Sequence, residues 1–387
     1  MIKRDAESRA RKLLRGFPIL TITGPRQSGK TTLAKAVFAR KPYLSLEDPD
    51  IRRMAIDDPR GLLDRMPNGG ILDEIQRTPE LLSYLQTRVD ADDRMGLFLL
   101  TGSQQFGLLS GISQSLAGRT AFLELLPLSR RELDRAKAAP STLNESLLVG
   151  GYPALYDRDL EPASWFAAYV TAYVERDVRQ LLKVQDLEAF QRFVRLCAGR
   201  SGQILNLSSL ATDCGIRHNT ARAWLSVLEA SYLVFALQPH HANFNKRLIK
   251  APKIYFYDTG LLCWLLGIRE VAQLESHPLR GAIFETYVVA ELTKARFNQG
   301  ERAGLHYWRD SNGNEVDVLA EVGTKLMPIE IKAGQTVNPD FFTALDRWTA
   351  LAGNLATTQT VIYGGTDSFR RSGIRILGWN GVANVFS

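Results

Sequence analysis

Paired cysteines and long hydrophobic runs are missing from this sequence of 387 residues. Its cysteines are Cys197, Cys214 and Cys263, and no two of them have the CxxC spacing of a zinc ribbon or redox motif. An odd number without such spacing argues against a disulfide framework and favours reduced thiols. The longest apolar run, residues 261–266, is far below the roughly 20 residues that a membrane-spanning helix needs. We therefore expect a cytoplasmic protein with no membrane partner.

Repeats and low-complexity tracts are also missing. Residues 1–15 carry six basic side chains but no long apolar stretch follows, so we do not expect a signal peptide. What is present is the balance of a globular chain, with 45% hydrophobic and 23% charged residues, and the length suggests two or three domains. A net charge of +7 favours an anionic partner without identifying it.

Alternating strand and helix patterns predict an α/β domain over residues 1–135. Continuous apolar strands with helices between them indicate a parallel sheet that is covered on both faces. The predicted strands are residues 18–23, 42–46, 70–73, 97–101 and 121–126.

The remaining chain divides into two further predicted domains. Residues 136–270 read as mostly helical, with a long helix over residues 165–182. Residues 271–387 form a second α/β module. Its predicted helices are residues 279–297 and 340–352, and its predicted strands are residues 305–309, 315–321, 325–332, 358–363 and 374–379.

A phosphate-binding loop is the most specific pattern in the sequence. Residues 24–31 match GxxxxGK[ST] after an apolar strand and at the start of a helix. Glycines let the backbone wrap phosphates, and N–H groups at the helix start face the anion. Lys30 is expected to reach the β- and γ-phosphates of ATP, and the Thr31 hydroxyl to bind Mg²⁺. The predicted nucleotide-binding residues are Gly24, Pro25, Arg26, Gln27, Ser28, Gly29, Lys30, Thr31 and Thr32.

Polar residues at two strand ends supply predicted catalytic groups. An apolar strand ends in Asp73-Glu74, where Asp73 is expected to hold Mg²⁺ and Glu74 to orient or deprotonate the attacking water. The next strand resembles the sensor strand of AAA-type ATPases, and Ser103 is the predicted sensor of the γ-phosphate. The alternative for Ser103 is an ordinary turn.

Arg119 is the last predicted catalytic residue. An arginine in this position is expected to project into a neighbouring subunit's site and neutralise transition-state charge, as an arginine finger does. The alternative is a plain surface arginine.

Positive charge concentrates in the middle of the chain, where a helix-turn-helix is predicted. Residues 175–256 contain twelve basic and six acidic residues, an asymmetry that suggests binding to phosphate backbones. Residues 207–216 and 218–228 read as two short helices joined by a turn at Gly215. The alternative is a structural connector or a surface that docks protein. The predicted DNA-binding residues are Arg217, His218, Asn219 and Arg222 on the second helix, and Lys246 and Arg247 in a wing.

Three carboxylates and a lysine form a predicted metal site near the C-terminus. Glu330 and Lys332 are two residues apart on one strand and so share a face, and Asp317 lies on the preceding strand. Glu285, on the helix before them, is expected to complete the group. Such a site suits a Mg²⁺-dependent phosphodiesterase in which Lys332 orients the nucleophile or stabilises negative charge. The alternatives are an inactive nuclease-like domain and surface charges on an unrelated sheet.

Three segments resemble a prokaryotic family of AAA-type ATPases that have a P-loop domain, a winged-helix segment and a C-terminal PD-(D/E)xK nuclease-like domain. The segments are residues 24–32 (GPRQSGKTT), residues 116–119 with 125–133, and residues 314–332 with the pattern EVD…IEIK. The resemblance covers nearly the whole chain. It implies ATP hydrolysis, association with DNA and formation of homo-oligomers.

These observations predict an ATP-hydrolysing, DNA-binding motor or switch with a nuclease-like C-terminal domain. Two other functions stay open. One is a signalling or partner-binding NTPase whose winged helix docks protein, and the other is a transcriptional regulator switched by ATP.

Overall fold

The computed structural model describes residues 2–103, 115–175, 186–240 and 251–386, which form two compact units. No helix in these ranges is long and apolar enough to cross a lipid bilayer. The predicted division at residues 135 and 270 is finer than the two units and stays a prediction. The first unit comprises Met1–Leu128, Ala230–Tyr232 and Arg296–Arg302, and the second comprises Ser129–Glu229, Leu233–Ala295 and Ala303–Ser387.

A five-stranded parallel sheet in the order β2-β3-β4-β1-β5 forms the middle of the first unit. Phe98 and Leu100 of β4 belong to one hydrophobic cluster and Leu99 to another, so both faces of the sheet are covered. This burial explains the continuous apolar strands and confirms the predicted α/β sheet. The strands are Ile19–Thr23 (β1), Tyr43–Ser45 (β2), Gly70–Asp73 (β3), Phe98–Gly102 (β4) and Thr120–Glu124 (β5).

In the described part of this unit, five α-helices accompany the sheet. Asp48 and Asp58 cap α3 and α4, which both begin with proline, the residue whose missing N–H costs nothing at a helix start. The helices are Ala6–Leu13 (α1), Lys30–Val37 (α2), Pro49–Asp57 (α3), Pro59–Asp64 (α4) and Leu81–Asp90 (α5).

The first half of the second unit is helical, as its apolar spacing predicts. The structure differs from the long helix predicted over residues 165–182. Helix α9 ends at Tyr169, and the chain continues as a π-helical turn, Val170–Glu175. Residues 176–185 lie outside the described chain. Apolar spacing does not separate an α-helical turn from a π-helical one. The helices are Arg130–Arg135 (α6), Leu143–Val149 (α7), Pro153–Asp157 (α8), Pro162–Tyr169 (α9), Leu187–Gly199 (α10), Leu207–Cys214 (α11), His218–Ala230 (α12), Thr259–Leu265 (α13) and Val271–Glu275 (α14).

Two sheets complete the second unit. A two-stranded antiparallel sheet contains Val234–Leu237 (β6) and Lys253–Phe256 (β7). A mixed sheet in the order β12-β13-β11-β10-β9-β8 is antiparallel between β8, β9 and β10 and parallel between β10 and β11. The mixed sheet and its helices comprise Arg280–Asn298 (α15), Leu305–Arg309 (β8), Glu315–Val322 (β9), Lys325–Lys332 (β10), Thr343–Ala352 (α16), Thr360–Tyr363 (β11), Phe369–Arg371 (β12) and Ile374–Gly378 (β13).

Candidate active site

The predicted phosphate-binding loop joins β1 to α2, and its backbone requires glycine. Gly29 precedes the first residue of α2 and has a left-handed backbone with φ 92°. A Cβ atom on Gly24 would lie 2.1 Å from the carbonyl oxygen of Leu125. Both motif glycines are therefore explained by local geometry.

Buried polar groups of this loop fit a phosphate. The Lys30 ammonium is buried and donates to the carbonyl oxygens of Gly24 at 3.0 Å and Pro25 at 2.7 Å. The Ser28 hydroxyl is buried and has no hydrogen-bond partner among the described residues. Since buried polar groups are normally paired, an anion in the loop would complete the hydrogen bonding that the chain leaves open. The loop therefore fits the predicted ATP.

Other predicted loop residues lie nearer to solvent. Gln27 and Thr32 are exposed, and the Arg26 guanidinium lies 3.8 Å from the Glu47 carboxylate. Sequence reasoning missed Arg4, which is buried and donates to the carbonyl oxygens of Ser28 at 2.6 Å and Leu126 at 2.7 Å. No sequence motif predicts Arg4, because its partners are distant in sequence and come close to it only in the folded chain.

Asp73 lies beside Thr31, so the structure brings together the two predicted ligands of the ATP-bound Mg²⁺. The Thr31 hydroxyl donates to Asp73 Oδ2 at 2.9 Å, and Tyr43 donates to the same oxygen at 2.7 Å. Thr101 donates to Asp73 Oδ1. Burial and the hydrogen bond to Asp73 raise the pKa of Tyr43, which keeps it a proton donor. An oxygen-rich corner of this kind suits Mg²⁺.

The side chains of Glu74 and Ser103, two further predicted catalytic residues, are in contact. The Ser103 hydroxyl donates to Glu74 Oε2 at 3.1 Å, and the Gln76 amide contacts Glu74 and lies 3.2 Å from Ser103 Oγ. Glu74 has a left-handed backbone with φ 57°, an uncommon conformation for a residue with a side chain. Sequence reasoning missed Gln76, two residues after the motif. In the described structure Glu74 is thus held by two polar neighbours.

Arg119 lies apart from the other predicted catalytic residues of its own chain. It directly precedes β5, where Thr120 pairs with Ile19 at the start of β1, whereas the phosphate-binding loop follows the end of β1 at Thr23. Its guanidinium binds both carboxylate oxygens of Asp90, at 2.5 and 2.8 Å. This contact lowers the pKa of Asp90. Arg119 therefore does not face the loop of its own sheet.

The predicted helix-turn-helix is formed by α11 and α12. Gly215 ends α11 with a left-handed backbone, φ 72° and ψ 30°, and Ile216 donates back to the Ala211 carbonyl at 3.0 Å. Trp224 packs edge-on against Phe190 and Phe193, with ring centroids 5.3 and 5.5 Å apart. The helix pair is thereby fixed to α10.

The predicted DNA-binding side chains just before and within the first turns of α12 are exposed to solvent. Arg217, His218, Asn219 and Arg222 are all exposed, while Ala221 and Trp224 are buried. Lys246 and Arg247 lie outside the described residues.

The C-terminal carboxylates converge as predicted on β9 and β10. Val318 pairs with Ile329, which places Asp317 beside Glu330, and Asp317 Oδ2 accepts from the Ile331 N–H at 2.8 Å. The Lys332 ammonium lies 2.5 Å from Glu330 Oε1. Burial raises the pKa of Asp317, and the nearby Glu330 and Glu285 carboxylates raise it further.

Glu285 joins this group together with residues that sequence reasoning missed. Glu285 Oε1 accepts from Lys253 at 3.0 Å and from Tyr255 at 2.5 Å, and Lys253 also contacts Glu315. Burial alone would lower the pKa of Lys253, but Glu285, Asp317 and Glu315 outweigh it and raise the pKa. Among the described residues, no three His, Cys, Asp or Glu side chains are arranged to hold a metal ion. Of the predicted metal ligands, Glu285 instead contacts Lys253 and Glu330 contacts Lys332.

Three family models match successive parts of the chain. A family model described as an AAA domain matches residues 16–134, and two domains of unknown function match residues 140–272 (DUF8612) and 280–380 (DUF4143). The solved Walker-type ATPase of Pyrococcus abyssi is 15% identical, with a TM-score of 0.44, over 68% of this chain and 96% of that chain.

Two curated relatives are more similar in sequence. Uncharacterized proteins of Mycobacterium tuberculosis and Mycobacterium bovis are each 34% identical over 339 residues, which is 86% of this chain and 74% of theirs. The chain belongs to the same family as these mycobacterial proteins, and its N-terminal region is an AAA-type P-loop ATPase domain.

Proposed function

We propose that the chain hydrolyses ATP and acts on DNA as an oligomeric motor or switch. The observation that carries the DNA part is the exposed start of α12, which presents two arginines, a histidine and an asparagine on one described surface. Arginine neutralises phosphates, and short polar side chains at a helix start reach phosphates or base edges. The ATP part rests on the loop, the Asp73 corner and the AAA domain.

The arrangement around α12 supports a winged helix. The Gly202 N–H donates to the Ile254 carbonyl at 2.8 Å, and Ile204 forms an isolated antiparallel bridge with Lys253. A short extended segment between α10 and α11 therefore pairs with β7, which in turn pairs with β6. The chain order is helix, strand, helix, helix, strand, strand, and a helix-turn-helix of this kind offers its second helix to the DNA major groove.

The chemical roles follow from the positions of the side chains. ATP with Mg²⁺, held by Lys30, Thr31 and Asp73, would supply the phosphoryl group to be cleaved. Glu74 is the base that accepts a proton from water or orients it, and Ser103 positions the Glu74 carboxylate. Arg119 faces away from its own loop, and this supports a role in the site of a neighbouring subunit.

The C-terminal sheet supports a nuclease-like domain. Helix α15 is followed by three antiparallel strands, helix α16 and a strand parallel to β10, with Asp317, Glu330 and Lys332 together at the meeting of β9 and β10. Glu285, Asp317 and Glu330 offer carboxylate oxygens, which are ligands that Mg²⁺ prefers. This domain would recognise or cleave a DNA structure.

The test is ATP turnover by the purified chain without DNA and with single-stranded, duplex or branched DNA, each at low and high salt. Strong stimulation by one form, lost at high salt, is the expected result, because phosphate contacts weaken steeply as salt rises. Turnover that no DNA form changes would contradict the DNA part. That result would favour an NTPase whose α11–α12 pair docks protein. A footprint confined to one base sequence would favour the transcriptional regulator.

A further inference from the structure

A lysine side chain from outside the nuclease-like sheet lies among its carboxylates. Lys253, on β7, is 3% exposed, and its ammonium lies 3.0 Å from Glu285 Oε1 and in contact with Glu315 Oε1. Glu285 comes from α15 and Glu315 from β9. One ammonium group therefore contacts carboxylates of two elements, as a bound metal ion would in the same place.

The strand that carries Lys253 is held against this group at several points. Tyr255 lies two residues along β7, on the same face, and donates to Glu285 Oε1 at 2.5 Å. Tyr307 of β8 donates to the Ala251 carbonyl, and its ring centroid lies 5.6 Å from the Lys253 ammonium. The lysine is thus inserted by a packed strand and is not a flexible surface side chain.

One carboxylate oxygen of this group has no hydrogen-bond partner among the described residues. Glu330 is 5% exposed, and its Oε2 has no hydrogen-bond partner among the described residues, although its Oε1 binds Lys332. Buried carboxylate oxygens are normally paired with a donor or a cation. Lys253 contacts Glu285 and Glu315, and Lys332 binds the other oxygen of Glu330. Neither lysine therefore supplies a hydrogen bond to Glu330 Oε2 in the described structure.

We propose that Lys253 is a tethered cation that occupies the C-terminal carboxylate site, and that a divalent cation binds there only after Lys253 withdraws. In the described arrangement the site is closed to metal. Movement of β7 opens it, because β7 carries both Lys253 and Tyr255. This inference rests on the proposed carboxylate site but not on the proposed action on DNA.

The experiment measures Mn²⁺ binding to the nucleotide-free full chain by electron paramagnetic resonance. Lys253→Met removes the cation at nearly constant length, and Lys325→Met, which removes an exposed lysine of β10, is its matched control. The Lys253 variant is expected to bind one Mn²⁺ at least about tenfold more tightly than the wild type and the control, a change within the range known for groups that surround metal ligands. A folded Lys253 variant with wild-type affinity would overturn the inference, as would equally tight binding by the wild type.

A second variant keeps the test decisive if Lys253→Met does not fold. Glu315→Gln loosens Lys253 but leaves Glu285, Asp317 and Glu330 in place, and exposed Glu321→Gln on the same strand is its control. Tighter Mn²⁺ binding by the Glu315 variant alone supports the inference, and wild-type affinity in both overturns it. DNA-stimulated ATP turnover is measured separately, so failure of the DNA proposal is distinguishable from failure of this one.

Discussion

Lys30, a residue of the phosphate-binding motif, has a well-defined environment in the structure. Its ammonium is buried against two carbonyl oxygens of the phosphate-binding loop, beside a Ser28 hydroxyl that has no partner among the described residues. A buried cation that faces carbonyl oxygens is stabilised further when an anion enters the loop. The positive charge of Lys30 therefore favours an anionic ligand in the phosphate-binding loop.

Substitution of Lys30 by Ala is expected to lower ATP turnover by about 100-fold or more, the scale of losing one preorganised charge that stabilises the transition state. Arg40→Ala, which removes an exposed cation shortly after α2, is the control and should leave turnover unchanged. Steady-state phosphate release measures both. Turnover that survives in the Lys30 variant would mean that hydrolysis occurs at another site.

Residues within one motif could be predicted from the sequence, whereas their partners from other elements could not. The loop pattern marks Lys30 and Thr31, and the strand end marks Asp73. Tyr43 and Arg4 carry no such signal, because Tyr43 reaches Asp73 only through the parallel pairing of β2 with β3. The contact of Lys253 with Glu285 could not be predicted for the same reason, since Lys253 lies on β7 and Glu285 on α15.

At the scale of elements, the turn between α11 and α12 depends on Gly215. Its left-handed backbone disfavours any residue with a Cβ atom, although a Cβ atom added there would have no other atom within 4 Å of it. Conformational strain is thus the only cost of a side chain there.

Gly215→Ala is expected to destabilise the helix pair by about 1 kcal/mol and to speed amide hydrogen exchange in α11 and α12 by about fivefold. Gly199→Ala is the control, because Gly199 ends α10 with equal free space but no left-handed backbone. The control should leave exchange unchanged or slow it, since alanine favours the helix. Equal effects of the two substitutions would show that the turn geometry does not matter.

Removal of two cations, Arg217 directly before α12 and Arg222 within it, tests the proposed contact of this helix with DNA. Arg217→Ala combined with Arg222→Ala is expected to weaken duplex binding and to reduce the slope of log affinity against log salt by about 2, one unit for each phosphate contact. Fluorescence anisotropy over a salt series measures both. The control is Arg370→Ala with Arg371→Ala, two exposed arginines of β12. An unchanged slope in the α12 variant, or an equal loss in the control, would contradict a DNA contact at this helix.

Element types were more predictable than element ends. Strand patterns predicted each described strand of the parallel sheet, and burial on both faces explains why β1, β3 and β4 have few polar positions. β12 was missed, since its three residues are all exposed and show no alternation. The helix predicted over residues 165–182 passes into a π-helical turn at Val170, a change that residue spacing does not register.

For the whole molecule, the position of Arg119 predicts that the ATPase site needs a second copy of the chain. Arg119→Ala and Lys30→Ala are each expected to turn over ATP poorly, but their mixture should regain activity. In mixed oligomers the intact loop of the Arg119 variant meets the Arg119 of the Lys30 variant. Titration of one variant into the other, followed by phosphate release, measures the recovery.

The control replaces the Lys30 variant in the mixture by the doubly substituted chain, which supplies neither group and should restore nothing. Full turnover by the Arg119 variant alone would show instead that Arg119 is a surface arginine paired with Asp90.

ATP hydrolysis in the first unit is expected to respond to DNA that α12 binds. The most direct test is ATP turnover during titration with duplex DNA, for the wild type and for the chain with Arg217→Ala and Arg222→Ala. We predict that the wild type is stimulated at low salt, and that the variant keeps the basal rate but needs much more DNA for the same stimulation. A flat response of the wild type, or identical titration curves for the two proteins, would contradict the account.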